Sequence, residues 1–391
     1  MPTVRVDLGT RAYPVVIGPG VTGRLESLLE KQAGGVGRVF VFFDAQVYAL
    51  HGGEVMRCLG PFARKASVMA LPGGERTKTV RTVGRVHDYL LAEQVSRNDF
   101  ILACGGGVLS DVVGYAASTV LRGVRWGVIS TTLLGMVDAA IGGKTGVNHP
   151  RGKNLVGAFW QPSFVVCDTF HLHTLPARER VAGMGEIVKY AGLTGGTMLT
   201  RLEQREPGEW LEIPRALTGV IEQSVRCKAT VVGADETEQG RRMLLNLGHT
   251  FAHGIERAAG YGRLLHGEAV LVGLLAACEL SVRAGVSSER KLSRYCSILE
   301  QYIRRIPYRR LEAEAVWEGM TWDKKRRGGR LRFVLLSAPG RPLFADAVNS
   351  AEARRALQAA IRYYDHTGGS HAASTRGERT ESQYGRNTRT R

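Results

Sequence analysis

Three of the ten histidines fall in Asn246 to Val270, NLGHTFAHGIERAAGYGRLLHGEAV. Imidazole is the commonest neutral metal ligand and the usual acid or base near neutral pH. His249 and His253 are four apart, so a helix presents them on one face, and His266 opens a second apolar run after the Gly260-Tyr261-Gly262 break. Two helices can thus aim three imidazoles at one point. Glu256 does not lie between the histidines, so this is not the HExxH pattern. Glu186, in GMGEIVKY, supplies a carboxylate elsewhere in the chain. Three His and Glu ligands with one open position are the arrangement of a catalytic zinc.

Two glycine-rich segments carry other chemistry. Phe100 to Asp111, FILACGGGVLSD, reads as a strand, a glycine turn and the start of a helix. Glycines there let the backbone approach a pyrophosphate, whose charge is favoured by free N–H groups at a helix N-terminus. Asp44, at the end of an earlier apolar strand, stands where a carboxylate accepts ribose hydroxyls. The second segment, Asp138 to Asn154, contains Gly-Lys-Thr but lacks the first glycine of a P-loop and follows no evident strand. It reads as a loop carrying Lys144, Lys153 and Asn154, suited to a phosphate or carboxylate held by point charges and an amide.

These residues need a scaffold. Thr3–Leu8 and Tyr13–Ile17 read as an opening hairpin, followed by a helical stretch from Val21, a strand from Arg38 to Phe43, a helix from about Thr79 to Glu93 and the strand Phe100–Cys104. Strands alternating with helices predict an α/β nucleotide-binding domain with a mostly parallel sheet. After Leu172–Arg180 the pattern turns mainly helical, including Pro214–Val232 and Gly267–Ala284, then a strand at Leu331–Leu336 and a last helix at Ala351–Tyr364. The expected division is a nucleotide-binding domain at 1–174, a mainly α-helical metal- and substrate-binding domain at 175–365, and a disordered basic tail at 366–391.

The 391 residues, 44% hydrophobic and 23% charged, have the composition of a globular protein. No apolar run is long enough for a membrane helix and the first ten residues lack the order of a signal peptide, so a cytoplasmic location and no membrane partner are expected. Six scattered cysteines without a CxxC pair read as reduced thiols. The net charge of +17 invites a nucleic-acid reading. Part of that excess sits in the tail and part in Lys324–Arg327, while other cations lie inside glycine-rich motifs that suit a small anion, so nucleic acid is not the expected main partner.

In order along the chain stand Pro72-Gly-Gly-Glu75 with Lys78, GGGVLSD, Arg122-Gly123, Ser130-Thr-Thr-Leu-Leu134, GGKTGVNHPRGKN, Gly185-Glu-Ile-Val-Lys-Tyr190, LNLGHTFAHGIE, HGEAV and Asp323-Lys-Lys325. Up to about residue 364 the chain resembles the 3-dehydroquinate synthase family of sugar-phosphate cyclases. The resemblance implies NAD and one divalent metal, zinc or cobalt. It also implies conversion of 3-deoxy-arabino-heptulosonate 7-phosphate to 3-dehydroquinate and phosphate, on the shikimate route to aromatic amino acids and chorismate. The steps would be transient oxidation by NAD, phosphate elimination, reduction and ring closure.

By family position the metal would be held by Glu186, His249 and His266, leaving His253 to handle protons. NAD would meet Asp44, Glu75, Lys78, Gly105, Gly106, Gly107, Val108, Asp111, Thr131 and Thr132, with Lys144 and Lys153 close to it. Substrate would meet Arg122, Asp138, Lys144, Lys153, Asn154, Lys189, Lys228, Arg242, Asn246 and Lys325. A homodimer is expected. Gln46, Ser110, Ala139 and Gly185 depart from the residues usual in the family, Asn, Gly, Ser and Ala respectively. They border the cofactor and substrate positions, so a cyclase acting on an amino or otherwise altered heptulosonate is the alternative.

Overall fold

The computed structural model describes residues 1–260, 262–326, 331–346 and 348–367, without the side chains of 214 and 322–326. The expected disordered tail lies outside these residues, apart from its first two positions, which end the last helix. The chain divides into two compact units, one of Met1–Tyr190 with Gln204–Leu245, the other of Ala191–Glu203 with the chain from Asn246 onward.

In the first unit, β1 (Thr3–Val6) and β2 (Tyr13–Gly18) pair antiparallel, as the opening hairpin predicts. The helical stretch from Val21 is a 3-10 turn and the short α1 (Leu25–Glu30). There follow β3 (Val39–Asp44), α2 (Ala45–Cys58), β4 (Ala66–Leu71), α3 (Val80–Ala92), β5 (Phe100–Gly105), α4 (Gly107–Thr119) and β6 (Arg125–Ser130). Next come β7 (Lys144–His149), β8 (Gly152–Phe159) and β9 (Val165–Asp168). Seven strands form one sheet in the order β1-β2-β9-β6-β5-β3-β4, parallel at every pair except the first. The central strands are apolar on both faces because both faces are covered: Phe40, Phe42 and Phe43 of β3 and Ile101 and Leu102 of β5 are all fully buried.

The ends of these elements set the site. Thr79 accepts a hydrogen bond from the Thr82 N–H at 3.2 Å and so starts α3 at the expected place. Asp44 ends β3 and caps α2, accepting from the Gln46 N–H at 2.9 Å.

The lysine loop is a correction. Lys144 lies on β7 and Lys153 and Asn154 on β8, which pair as an antiparallel hairpin. Its glycines and lysines lower β propensity, which hides the strands from a pattern reading. Those glycines are also the reason it closes: a Cβ on Gly157 would stand 2.1 Å from the Thr145 carbonyl oxygen, and one on Gly146 2.5 Å from that of Val156. Asn154 adopts the left-handed region at φ +54°.

Helices α5 (Ala177–Thr194), α6 (Gly196–Glu203), α7 (Pro207–Glu212) and α8 (Thr218–Ala234) follow. Residues 214–217 form a 3-10 turn rather than the first turn of α8. The boundary by packing falls after Tyr190 rather than at 174, and residues 204–245 return to the first unit. The reason is that α8 packs on β1 and β2, a long-range contact that helical periodicity cannot reveal.

The second unit contains α9 (His249–Ala259), α10 (His266–Arg283), α11 (Glu289–Ile303), α12 (Ala313–Arg326), β10 (Phe333–Ala338), β11 (Arg341–Ala345) and α13 (Ser350–Thr367). The expected single strand is thus one arm of a β10–β11 hairpin. Helix α10 is buried on nearly all sides and packs against α9, α11, α13 and β10. No helix among the described residues is long and apolar enough to cross a membrane.

Candidate active site

The turn from β5 into α4 is built for close approach. Gly105, Gly106 and Gly107 have ordinary negative φ, so their role is space: a Cβ would meet Leu109 at 2.7 Å, Thr132 Cγ2 at 2.9 Å and Ala139 Cβ at 2.8 Å respectively. Gly106 precedes α4 without a side-chain cap, leaving N–H groups free for an anion. Asp44, Pro72, Gly73, Thr77, Val108 and Leu109 line an open cleft. Thr131 is buried with its hydroxyl unpartnered among the described residues, and the Thr132 hydroxyl accepts from the Gly135 N–H at 3.1 Å. This cradle could hold a dinucleotide, with Asp44 the candidate for ribose hydroxyls.

Beside it the hairpin joins α3 and α4 through a polar cluster. Buried Lys78 donates to Asp111 and, at 2.6 Å, to Asn154 Oδ1. Asn148 donates to Glu75 at 2.6 Å and accepts from the Asn154 N–H at 3.0 Å, while Lys153 Nζ lies 4.0 Å from Glu75. Burial pushes the Asp111 carboxyl up to about 6, with the Lys78 charge acting against it. Lys144, half exposed, pairs with Glu238.

A second cluster centres on Asp138. Its carboxylate accepts from Lys228 Nζ at 2.7 Å and from the Tyr190 hydroxyl at 3.0 Å, with Lys189 Nζ at 3.8 Å. Lys189 also pairs with the fully buried Glu186. Burial would raise the Asp138 carboxyl, but Lys228 and Lys189 outweigh it and hold the group below the ordinary carboxylate range. Burial pulls Lys228 down to about 8 against the pull of Asp138. Arg242, 1% exposed, donates to the Glu236 carbonyl and, at 3.0 Å, to that of Gly142.

In the second unit α9 and α10 cross at glycines: a Cβ on Gly273 would stand 2.4 Å from the Gly248 carbonyl oxygen. That contact brings the His249 and His266 rings to 5.2 Å, with the His253 ring 5.7 Å from His249 and 6.4 Å from His266. His249 Nδ1 meets the Leu247 carbonyl at 3.1 Å and His266 Nδ1 meets the buried Glu256 carboxylate at 3.3 Å. Both acceptors want a proton on Nδ1, which leaves each Nε2 as a lone-pair donor, the orientation metal-ligating histidines receive from their neighbours. Asn246 begins the second stretch of this unit, three residues before His249. Glu186, the carboxylate expected as their partner, is fully buried on α5.

Most of the expected residues therefore gather in these clusters. Arg122 does not: it is exposed on the turn after α4, at φ +64°, with no ion pair among the described residues. The side chain of Lys325 lies outside the described residues. Tyr190, Asn148, Glu238 and the supporting role of Glu256 went unread in the sequence; only the tyrosine, ending the motif that carries Glu186 and Lys189, offered a signal.

Comparison with known proteins accords with the geometry. Residues 68–182 match the model of the 3-dehydroquinate synthase N-terminal domain and residues 183–326 that of the C-terminal domain. The 3-dehydroquinate synthase of Paracoccus denitrificans is 44% identical over 91% of this chain and 98% of its own. A 2-deoxy-scyllo-inosose synthase, solved with carbaglucose-6-phosphate, NAD+ and Co2+, superposes with a TM-score of 0.83 at 26% identity, covering 92% of this chain and all of that one. The 2-epi-5-epi-valiolone synthase of Streptomyces hygroscopicus, with NAD+ and Zn2+, gives 0.80 at 29% identity over 90% of this chain and 97% of that one. The chain is a phosphate-eliminating lyase and belongs to the 3-dehydroquinate synthase family.

Proposed function

We propose that NAD lies across the β5–α4 cradle, that Glu186, His249 and His266 hold one zinc or cobalt ion, and that the Asp138 cluster and the β7–β8 lysines bind the heptulosonate phosphate. The observation that carries this is charge: Lys189, Lys228 and Arg242 are all buried, against the carboxylates of Asp138 and Glu186. A buried excess of cations is costly unless an anion completes it. The 2-deoxy-scyllo-inosose and 2-epi-5-epi-valiolone synthases, solved with NAD+ and with Co2+ or Zn2+, support the cofactor assignment.

The chain's own residues then have definable tasks. Asp138, kept ionised by two lysines, fixes Lys228 and Tyr190 in place before substrate arrives. Lys144, Lys153, Asn154 and Arg242 hold the anionic end in an eliminating pose, while Asn246 contributes a further polar contact. When bound, NAD would supply reversible hydride transfer, and a metal held by Glu186, His249 and His266 would supply Lewis-acid polarisation. His253, beside the two ligand histidines, moves protons. The enzyme works in the cytoplasm as a homodimer, which sedimentation velocity would test.

The decisive assay incubates metal-loaded protein with 3-deoxy-arabino-heptulosonate 7-phosphate and substoichiometric NAD, following phosphate and 3-dehydroquinate. Equal release of both is expected. Turnover of the amino analogue alone would replace this reading with that of an amino-substrate cyclase.

A further inference from the structure

We propose that His51, Glu54 and His171 form a second binding site for a divalent metal of the zinc class, using none of the residues assigned to the catalytic metal. All three lie in the first unit, and each offers one ligand atom within 4.8 Å of the others. Ligands placed tetrahedrally around zinc at ~2.1 Å stand about 3.4 Å apart, so side-chain closure on the order of 1 Å completes the set.

The elements aim these groups without strain. His51 and Glu54 are three apart on α2 and share a face. His171 sits on the 3-10 turn Thr169–His173, capped by Asp168. The His51 and His171 rings are 4.7 Å apart.

An unmet donor points to a ligand. His171 is 1% exposed, yet neither ring nitrogen has a hydrogen-bond partner among the described residues. A buried imidazole normally finds partners for both nitrogens, because desolvation is otherwise uncompensated. Asp168 cannot serve: its oxygens accept from the Gly20, Thr22 and Phe170 N–H groups and the Thr22 hydroxyl.

His51 is fixed in a ligating tautomer. The Thr174 hydroxyl donates its one proton to the His171 carbonyl at 3.0 Å, so toward His51 Nε2, at 2.8 Å, it can only accept. The proton of His51 therefore sits on Nε2 and the lone pair on Nδ1, the role outer neighbours play around metal-bound histidine. His51 and Glu54 are half-buried, which leaves an entry path and a position for water.

The test is a count of metal on the full-length protein. After equilibration with micromolar zinc and desalting, mass spectrometry of the element should find two equivalents per wild-type chain. His51→Ala and His171→Asn should each hold one, with unchanged circular dichroism. In a His249→Ala/His266→Ala background one equivalent should persist, and adding His51→Ala should remove it. A wild-type chain holding a single equivalent, or a second equivalent that survives His51→Ala as adventitious surface zinc would, overturns the proposal.

Discussion

Lys228 Nζ donates to both the backbone carbonyl and the carboxylate of Asp138, each at 2.7 Å. One ammonium thus fixes the main chain and the side chain of the same residue. Lys228→Met should lower kcat/KM by roughly 100-fold or more, the scale found for removing a preorganised charged donor. The KM for NAD should change little, because α4 and Asp44 are untouched. A mutant within threefold of wild type would remove Lys228 from the anion site.

The pH profile follows from the same lysine. Its conjugate acid is lost near 8 in the folded protein, against an ordinary value of 10.5. The upper limb of kcat/KM should therefore fall above about pH 8 and vanish in Lys228→Met. Between 8 and 10.5 the unfolded chain binds more protons than the folded one, so this group makes stability rise with pH over that window. Denaturant titrations of wild type and Lys228→Met at pH 8 and pH 10 measure that difference.

Metal retention separates the three histidines. His266→Ala and Glu186→Ala should lose the catalytic metal, whereas His253→Ala should keep it and lose turnover. Glu256→Gln should weaken metal binding by roughly 10 to 100-fold, the usual cost of removing a partner that orients a ligand. Competition with a chromophoric chelator reads all four variants; equal metal loss in His253→Ala and His266→Ala would show that the ligand pair is misassigned.

The glycine cradle gives a cofactor-specific prediction. Gly106→Ala places a methyl group 2.9 Å from Thr132 Cγ2 and narrows the approach to α4. NAD affinity, followed by quenching of protein fluorescence, should fall by about tenfold or more, equivalent to ~1.4 kcal/mol. Metal content should stay at its wild-type level.

Much of the fold is legible in the sequence, and unevenly so. β3, α3 and β5 are plain because apolar runs, the Thr79 cap and the Gly105–Gly107 stop agree at each level. The β7–β8 hairpin is hidden because its sequence was shaped by close backbone approach rather than by an apolar face. The return of α8 to the sheet is hidden because periodicity shows which face is buried, not against what. In the site, chemically distinctive residues such as Glu186, His249 and Lys144 announce themselves. Asn148, Glu238 and Glu256 do not, since their meaning lies in a partner distant in the chain or on another helix.

The contact between Gly146 and Gly157 has a consequence for how this site can evolve. With no side chain between the strands at this point, the separation of Lys144 from Lys153 and Asn154 is set by the main-chain ladder and by the Thr145 hydroxyl and Asn148 amide that tie β7 to β8. Exchanging a lysine would retune which anion is welcomed, but the gauge between the charged tips stays constant. New specificity on this hairpin must come from what the tips carry, never from how far apart they stand.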